Sequence, residues 1–404
     1  MAMTYRTEYM IFKEVDLQLE VVILVIGGMA MLMTGVLLFP VYDGRLPYYE
    51  NGLYGLFLII FALQIITLGK TPFGDMPRSK PLFTVGVLIA AVGMVTCFIP
   101  ISIGLPRVLL FLCFGPGGFL LLLQMCFAKD RLRSWTKYGG IFRHLILGCG
   151  TVYVLSMLIA LLLWKRSLLT TPMTAVVILL FGVAIFYLAG VLWNIYRKYP
   201  EAKKRPIGDV GLSTDQAMLM LMGIFLLILG VLLVPVNLGL LPFSGNAQLG
   251  LLMVIFAVQM LASGSTPIGP FPRTWLMIGF GLLFAVLGVV SCIIPEILIS
   301  PLAILVGVLN ILGGVTALIK MWNRRSSQPA ELRKPIPPIL ARLFAAQLTM
   351  NLLQIMFGTS MLIPGLVHGL VIGVILAANG CVLLYLLGIL VVLDKMQRDM
   401  EGAT

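Results

Sequence analysis

The chain has 404 residues, of which 60% are hydrophobic and only 11% are charged. A soluble domain of this length needs far more polar surface, so the composition excludes that class and predicts a polytopic membrane protein. The net charge of +12 does not indicate nucleic-acid binding, because all but four of the 28 Lys and Arg residues fall on one side of the predicted membrane.

Apolar runs of about 18 to 25 residues, the length that crosses roughly 30 Å of hydrocarbon, recur along the chain. They predict twelve transmembrane helices and an all-α fold, since a closed barrel would show alternating ten-residue segments instead. In chain order the predicted spans are 21–40, 51–69, 82–100, 107–128, 143–164, 172–196, 217–236, 246–264, 275–295, 302–322, 340–363 and 367–393.

The positive charges predict the orientation of these spans. The loops Lys129–Arg143, Arg197–Arg205 and Lys320–Arg342 together hold sixteen Lys and Arg residues. Because positively charged loops remain in the cytoplasm, both termini are predicted to be cytoplasmic. Residues 1–20 show no signal-peptide pattern, and we expect them to form a short cytoplasmic tail. The four exceptions on the other side are Arg45, Arg107, Lys165 and Arg166.

One phrase of the sequence occurs twice. FALQIITLGKTPFGDMPR at 61–78 returns as FAVQMLASGSTPIGPFPR at 256–273, with nine of eighteen positions identical at an offset of 195. The match extends from about Gly35 to Pro106 and then fades. Each copy holds six spans, an even number, so the copies are predicted to run parallel about a pseudo-twofold axis along the membrane normal. The predicted divisions are a first repeat (21–196), a basic linker (197–216), a second repeat (217–393) and a cytoplasmic tail (394–404).

A shorter pattern of glycines lies inside this repeat. In the first span, Gly28 is followed seven residues later by Gly35 and then by Pro40. Glycines seven residues apart share one face of a helix, and small residues on a face allow helices to approach closely in lipid. We therefore predict that these glycines pack helices together. The third, seventh and ninth spans have the same pattern, at Gly86, Gly93 and Pro100, at Gly223, Gly230 and Pro235, and at Gly281, Gly288 and Pro295.

Hairpins built from a G-x6-G helix ending in Pro, a second apolar helix and a short Arg-bearing turn resemble the HdeD-like acid-resistance membrane proteins. The resemblance covers spans one to four and seven to ten. Members of that family usually have six helices, so this chain looks like two such units fused. The resemblance implies a bacterial inner-membrane protein linked to acid stress, without catalytic residues to transfer. The fifth span lacks the glycine pattern, and the eleventh keeps only Gly358 and Pro364.

The sequence offers few groups for catalysis or metal binding. All sixteen carboxylates lie in loops, tails or span ends, which disfavours a proton-coupled pump. His144 and His368 fall near opposite faces of the membrane, and the six cysteines show no C-x-x-C spacing. Walker, H-E-x-x-H and G-x-S-x-G motifs are missing. We therefore expect no enzymatic activity, no cofactor and no bound metal.

A G-P-G-G sequence, Gly115–Gly118, interrupts the fourth span, and Gly115, Pro116 and Gly117 are its candidate site residues. Proline removes a helix hydrogen bond there, and the glycines loosen the same turn. The tenth span holds Asn310 and Gly313 at the corresponding place. Interrupted helices at matching places in two repeats indicate the central site of a transporter; the alternative is a packing kink without a ligand.

A polar stripe marks the eleventh span at Gln347, Asn351 and Gln354. Spacings of four and three residues place all three on one face of a helix. That face either lines a hydrated pathway or ties helices together by hydrogen bonds. Val152, Ser156 and Ile159 occupy the corresponding face in the first repeat, so a pathway would be asymmetric.

The repeated phrase itself supplies the last candidates. Gln64 and Gln259 occupy equivalent positions near the predicted cytoplasmic ends of the second and eighth spans. The T-P-x-G-x-P-R segment after each is predicted to form a turn. Its arginines, Arg78 and Arg273, either anchor the topology or clamp an anion at the cytoplasmic face.

Three functions follow as expectations. The first is a non-enzymatic inner-membrane protein of HdeD-like type, acting in acid or membrane stress. The alternative is a secondary transporter or facilitator of a small neutral or anionic solute, with a central site between the two repeats. The third is an accessory subunit of a larger membrane complex. The predicted partners are the lipid bilayer and either a small solute or other membrane subunits, but no nucleic acid.

Overall fold

The computed structural model describes residues 13–76, 79–100, 104–128, 131–165, 167–203, 212–326, 338–363 and 365–401. Eleven helices within these ranges are long enough and apolar enough to cross a membrane. The chain is therefore an all-α, polytopic integral membrane protein, as its composition predicts.

The helices in the described part of the chain are α1 (Leu19–Tyr42), α2 (Glu50–Leu68), α3 (Lys80–Phe98), α4 (Gly104–Phe114), α5 (Pro116–Phe127), α6 (Leu132–Tyr138), α7 (Ile141–Trp164), α8 (Thr171–Lys198), α9 (Thr214–Asn237), α10 (Gly245–Ser263), α11 (Trp275–Ile293), α12 (Ile299–Ser326), α13 (Pro338–Leu362) and α14 (Gly369–Glu401). Each predicted span is found as a helix, with the fourth divided into α4 and α5. Helix α13, which carries the predicted polar stripe, is 25 residues long and is not counted among these eleven.

Several short elements connect the helices, and of these only the turns of the repeated phrase are predicted by the sequence. Two antiparallel hairpins of two-residue strands lie in the repeated phrase: β1 (Lys70–Thr71) pairs with β2 (Gly74–Asp75), and β3 (Ser265–Thr266) pairs with β4 (Gly269–Pro270). The third such element is α6, which lies in a basic loop, and the fourth is a 3-10 turn at Pro200–Lys203.

Local sequence explains where some helices begin and end. Before α9, Ser213 accepts a hydrogen bond from the Gln216 backbone N–H and donates its own N–H to the Gln216 side chain. This reciprocal pair is a capping box, which satisfies two donors at the helix start. At the end of α2, Gly69 has a φ of +66°, the left-handed conformation that glycine adopts at low cost.

The chain forms two compact units. The first contains α1 to α8 together with α10 and α11, and the second contains α9, α12, α13, α14 and the β3–β4 hairpin. The predicted repeats at 21–196 and 217–393 are defined by sequence similarity, and the compact units follow a different division because α10 and α11 belong to the first. The parallel arrangement of two six-helix repeats stays a prediction.

Glycines lie where helices of the same unit approach most closely. In the first unit, a Cβ built on Gly35 of α1 would lie 2.6 Å from the Leu179 side chain of α8. In the second unit, a Cβ on Gly230 of α9 would lie 2.3 Å from the Ala377 backbone nitrogen of α14. Real methyl groups do not fit at such distances, so the predicted packing role of the spaced glycines is confirmed.

Two cysteines at equivalent places in the repeat meet inside the first unit. Cys97 of α3 and Cys292 of α11 are separated by the repeat offset of 195, and both are completely buried. Each sulfur lies 3.6 Å from the carbonyl oxygen of Ala247 at the start of α10. The sequence does not predict this meeting, since it arises only when α10 and α11 pack with α3.

Candidate functional site

The first copy of the repeated phrase ends in the β1–β2 hairpin, and its own side chains hold the turn. The hydroxyl of Thr71 donates to the Gly74 carbonyl oxygen at 2.7 Å, and the Phe73 backbone N–H donates to the same hydroxyl at 3.2 Å. Gly74 has a φ of +139°, which side chains strongly disfavour. The predicted T-P-x-G turn is therefore confirmed, in the form of a tight hairpin.

The second copy forms the same local structure within the second unit. Thr266 donates to the Gly269 carbonyl oxygen at 2.8 Å and accepts from the Ile268 N–H at 3.2 Å. Gly269 has a φ of +144°. Identical residues in the two copies thus produce identical turns, although the residues around them differ.

Of the two arginines predicted in the turns, the structure describes one. Arg78 lies outside the described residues. Arg273 forms an ion pair with Asp16 at 3.0 Å and donates to the backbone carbonyls of Leu17 and Ala262 at 3.2 and 2.9 Å. Residues 14 and 15 of the N-terminal tail also pair with residues 273 and 274. These contacts tie Arg273 to the N-terminal tail and to the end of α10, while its topology-anchoring role and the anion clamp both stay predictions.

The fourth span breaks at the predicted place. Helix α4 ends at Phe114, and α5 begins at Pro116 after Gly115 leaves helical geometry, with φ −81° and ψ −82°. The proline has no N–H to donate, so the ladder of helix hydrogen bonds is interrupted. The hydroxyl of Ser156 on α7 donates to the Phe114 carbonyl oxygen at 2.6 Å and satisfies it.

A glycine at this break lies directly against the β1–β2 hairpin. A Cβ built on Gly117 would lie 2.8 Å from the backbone carbonyl oxygen of Pro72, at the tip of the β1–β2 hairpin. In the second unit, a Cβ on Gly313 of α12 would lie only 2.0 Å from the carbonyl oxygen of Pro267, at the tip of β3–β4. Each glycine therefore allows a hairpin backbone to rest directly against a helix.

The prediction of matching interruptions in both repeats is wrong for the second. Helix α12 runs unbroken from Ile299 to Ser326 through Asn310 and Gly313. It contains no proline at that place, so its hydrogen-bond ladder continues. Asn310 is buried, and its amide donates to the Val306 carbonyl one turn earlier at 2.8 Å.

The polar stripe on α13 faces α12 within the second unit. A Cβ built on Gly314 of α12 would lie 2.8 Å from the backbone carbonyl oxygen of Asn351, and one on Gly313 would lie 2.9 Å from the side-chain amide nitrogen of Gln354. Asn351 is only 4% exposed, while Gln347 and Gln354 are half-buried. This geometry favours the interpretation in which the stripe ties helices together.

A cavity of about 500 Å³, here named the hairpin cavity, lies in the first unit beside the helix break. Its wall is mostly apolar and comes from α1, α2, α4, α5, α7 and α8. Gln64, one of the predicted site residues, lines it, as do Val152 and Ser156 on α7, whereas Gln259 does not. Thus the less polar of the two equivalent helix faces lines the cavity.

Two ion pairs lie at the hairpin end of this cavity. Lys70 contacts Glu20 at 2.5 Å, and Arg131 contacts Asp75 at 2.6 Å. The Lys70 and Asp75 side chains are 42% and 54% exposed, so this end reaches the surface of the protein, whereas Glu20 and Arg131 lie deeper. Two carboxylates balance two cations, and the lining therefore carries no net charge.

A second cavity of about 300 Å³, here named the Glu50 cavity, lies at the other end of α2. Its polar lining includes three threonines and Glu50, which accepts a hydrogen bond from the Tyr54 hydroxyl. Helix α2 has 19 residues and is therefore about 28 Å long. The two cavities thus open toward opposite ends of a membrane-spanning helix.

Three side chains line both cavities: Met31, Phe57 and Phe114. The Phe114 ring lies at the centre of an aromatic cluster, 5.2 Å from the Phe61 ring and 6.0 Å from those of Phe57 and Phe181. Since Phe114 is the last residue of α4, the helix break determines where this ring lies. This group of side chains separates the two cavities.

Comparison of the chain with family models, with curated proteins and with solved structures finds no match. The resemblance to the HdeD-like family is therefore neither supported nor refuted and stays a prediction.

The predicted site residues come mainly from features that the two repeats share. They therefore do not include the charged and aromatic residues of the cavities. At the offset of 195, Glu50, Lys70 and Asp75 correspond to Gly245, Ser265 and Pro270. These three charges are thus residues by which the first copy differs from the second, whereas Glu20 corresponds to the acidic Asp215. Differences between the copies are the signal that points to them.

Proposed function

We propose that the chain is a membrane transporter or facilitator that binds a small, mainly apolar solute in the hairpin cavity. The observation that carries this proposal is the cavity of about 500 Å³ beside the broken helix, with a charged end that reaches the surface. Small-molecule sites have volumes of about 300–1,000 Å³, with mostly apolar walls and a few polar groups. A broken helix beside such a cavity is typical of transporters.

The lining favours a solute without net charge. The ion pairs Glu20–Lys70 and Asp75–Arg131 balance each other, so neither anions nor cations gain long-range attraction from the charged end. Gln64, with one amide donor group and one acceptor, is available to orient a polar end of the solute. With the orientation that the positive charges predict, the cavity opens toward the cytoplasm.

Thermal unfolding against a panel of solutes tests this proposal. A ligand at a hundred times its dissociation constant stabilises the folded protein by about 2.7 kcal/mol. Val152→Phe fills the cavity from α7, so a solute that stabilises the wild type should no longer stabilise this variant.

Val154→Phe is the matched control. Val154 lies two residues away on α7 and is 53% exposed, so the same added volume points away from the cavity. The control should retain the response of the wild type. If Val152→Phe and Val154→Phe respond equally to a stabilising solute, or if no solute in a broad panel stabilises the wild type, the proposal fails.

A non-enzymatic HdeD-like role in acid or membrane stress is the second candidate. The glycine-spaced helices support it, because each pair packs closely with a neighbouring helix. This role predicts that cells without the protein lose viability at low pH, and that Val152→Phe restores viability as well as the wild type does. Unchanged acid survival in the deletion strain would count against it. We also propose, as a third candidate, a role as an accessory subunit of a membrane complex, and for each candidate a location in a bacterial inner membrane.

A further inference from the structure

We infer that the Glu50 cavity is a second solute site, and that it forms the far half of one route through the first compact unit, closed by the ring of Phe114. The inference rests on the proposed function for the identity of the solute. The route itself follows from the geometry of the two cavities.

The two cavities are adjacent. Met31, Phe57 and Phe114 line both, so the thickness of these side chains is all that separates them. The cavities have volumes of about 300 and 500 Å³, which suits both to the same class of small molecule.

Each cavity reaches one end of the unit. Lys70, after the C-terminal end of α2, lines the hairpin cavity and is 42% exposed. Tyr48, before the N-terminal end of the same helix, lines the Glu50 cavity and is 36% exposed. A solute that passed from one cavity to the other would therefore cross most of the membrane.

Phe114 is the centre of the barrier between the cavities. Phe114 is only 6% exposed, and its ring meets Phe57, Phe61 and Phe181 edge to face. It is also the last residue before the break at Gly115, where Pro116 interrupts the ladder of helix hydrogen bonds. A change at the break moves this ring without unwinding an intact helix.

The chemistry of the Glu50 cavity fits the same mainly apolar solute with a polar end. Most of its wall is apolar, while Thr34, Thr171 and Thr174 supply hydroxyl groups and Glu50 supplies a carboxylate. At the offset of 195, the ring of Phe114 is replaced by Leu309 and the carboxylate of Glu50 by Gly245. These features therefore belong to the first copy and are not shared by the second.

Cysteine labelling from each side of sealed vesicles tests the route. Thr174→Cys is placed in a cysteine-free background and treated with a membrane-impermeant methanethiosulfonate reagent that carries a quaternary ammonium group. Thr174 is half-buried and lines the Glu50 cavity. With Phe114 intact, labelling should occur only from the side of Glu50. After Phe114→Ala is added, labelling from the hairpin side should rise at least tenfold, while labelling from the Glu50 side remains.

Two further variants keep the test decisive. Phe57→Ala removes a second ring from the barrier and should act in the same way, in case Phe114→Ala does not fold. Phe119→Ala removes a ring that is 50% exposed on α5 and lines neither cavity, so it should change nothing.

The inference is overturned if both barrier variants keep one-sided labelling, or if Thr174→Cys reacts from both sides when Phe114 is intact. Such a result would leave solute binding in the hairpin cavity unaffected. Conversely, if two-sided labelling appears only in the barrier variants and the wild type binds no solute, the route is supported and the proposed function is refuted.

Discussion

The close contact between each hairpin and its helix predicts how much stability is lost when its glycine is replaced by alanine. Two contact glycines and one control glycine should give losses of different size. Replacing Gly117 with Ala places a methyl carbon 2.8 Å from the Pro72 carbonyl oxygen, and replacing Gly313 places one 2.0 Å from the Pro267 carbonyl oxygen. Both obstacles are backbone atoms, which cannot rotate away as a side chain can. At Gly190 on α8, a Cβ meets nothing within 4 Å.

The expected sizes follow from these distances. Forcing one extra carbon into a packed contact costs about 1–3 kcal/mol of stability. We expect Gly117→Ala to fall in this range and Gly313→Ala to lie at or above its upper end. Gly190→Ala should be neutral or stabilising by up to about 1 kcal/mol, because alanine favours the helix.

Thermal unfolding of the purified variants, followed by tryptophan fluorescence, measures this order. For chains of 150–250 residues, 1 kcal/mol corresponds to a change in Tm of about 2–4 °C, and the change is smaller in a longer chain. The order of stability should be Gly190→Ala, then Gly117→Ala, then Gly313→Ala. The reasoning is refuted if Gly313→Ala unfolds at the wild-type temperature, or if Gly190→Ala is as damaging as Gly117→Ala.

Three other predictions concern separate parts of the molecule. Arg131→Gln leaves the Asp75 carboxylate without this cation, so the affinity for cationic probes should rise relative to that for neutral probes in a titration. The stability should change by less than about 1 kcal/mol. An unchanged ratio of the two affinities would contradict the charge balance. Asn351→Leu should lower stability by no more than about 1.7 kcal/mol, the upper size of a hydrogen bond between transmembrane helices. It should leave solute binding intact, because Asn351 lies in the second unit. A stable variant that no longer binds solute would show that the stripe belongs to a site. Copper phenanthroline, with oxygen as the oxidant, should link Cys97 to Cys292 with loss of two alkylatable thiols, and Cys97→Ala should prevent this. Two thiols that persist under conditions in which a thiol reagent of similar size does reach them would show that the sulfurs do not meet.

The helices could be predicted from the sequence because the physical requirement is simple. A segment that crosses the membrane must be apolar over about 20 residues and must satisfy its own backbone groups. The interruption at Gly115 and Pro116 was predictable for the same reason, since proline lacks the donor that a helix needs. The unbroken α12 shows the limit of the argument, because glycines without proline do not break the ladder.

The cavities could not be predicted from the sequence. Their charged ends bring together residues far apart in the chain, such as Glu20 with Lys70 and Asp75 with Arg131. Reasoning from helix faces instead favoured the polar stripe on α13, which faces a neighbouring helix. Polar residues at regular spacing mark a face that avoids lipid, and either a cavity or a helix contact meets that requirement.

The packing of α10 and α11 with the first unit was also beyond prediction. The repeat shows which segments are related, but it does not determine which segments contact each other. The meeting of Cys97 and Cys292 at the Ala247 carbonyl is a consequence of that packing.

Solute flux into proteoliposomes tests the central claim most directly. A solute that stabilises the wild type should enter wild-type and Val154→Phe vesicles faster than protein-free liposomes, whereas Val152→Phe vesicles should take it up no faster than the liposomes. Equal flux through Val152→Phe and Val154→Phe would contradict a route through the hairpin cavity.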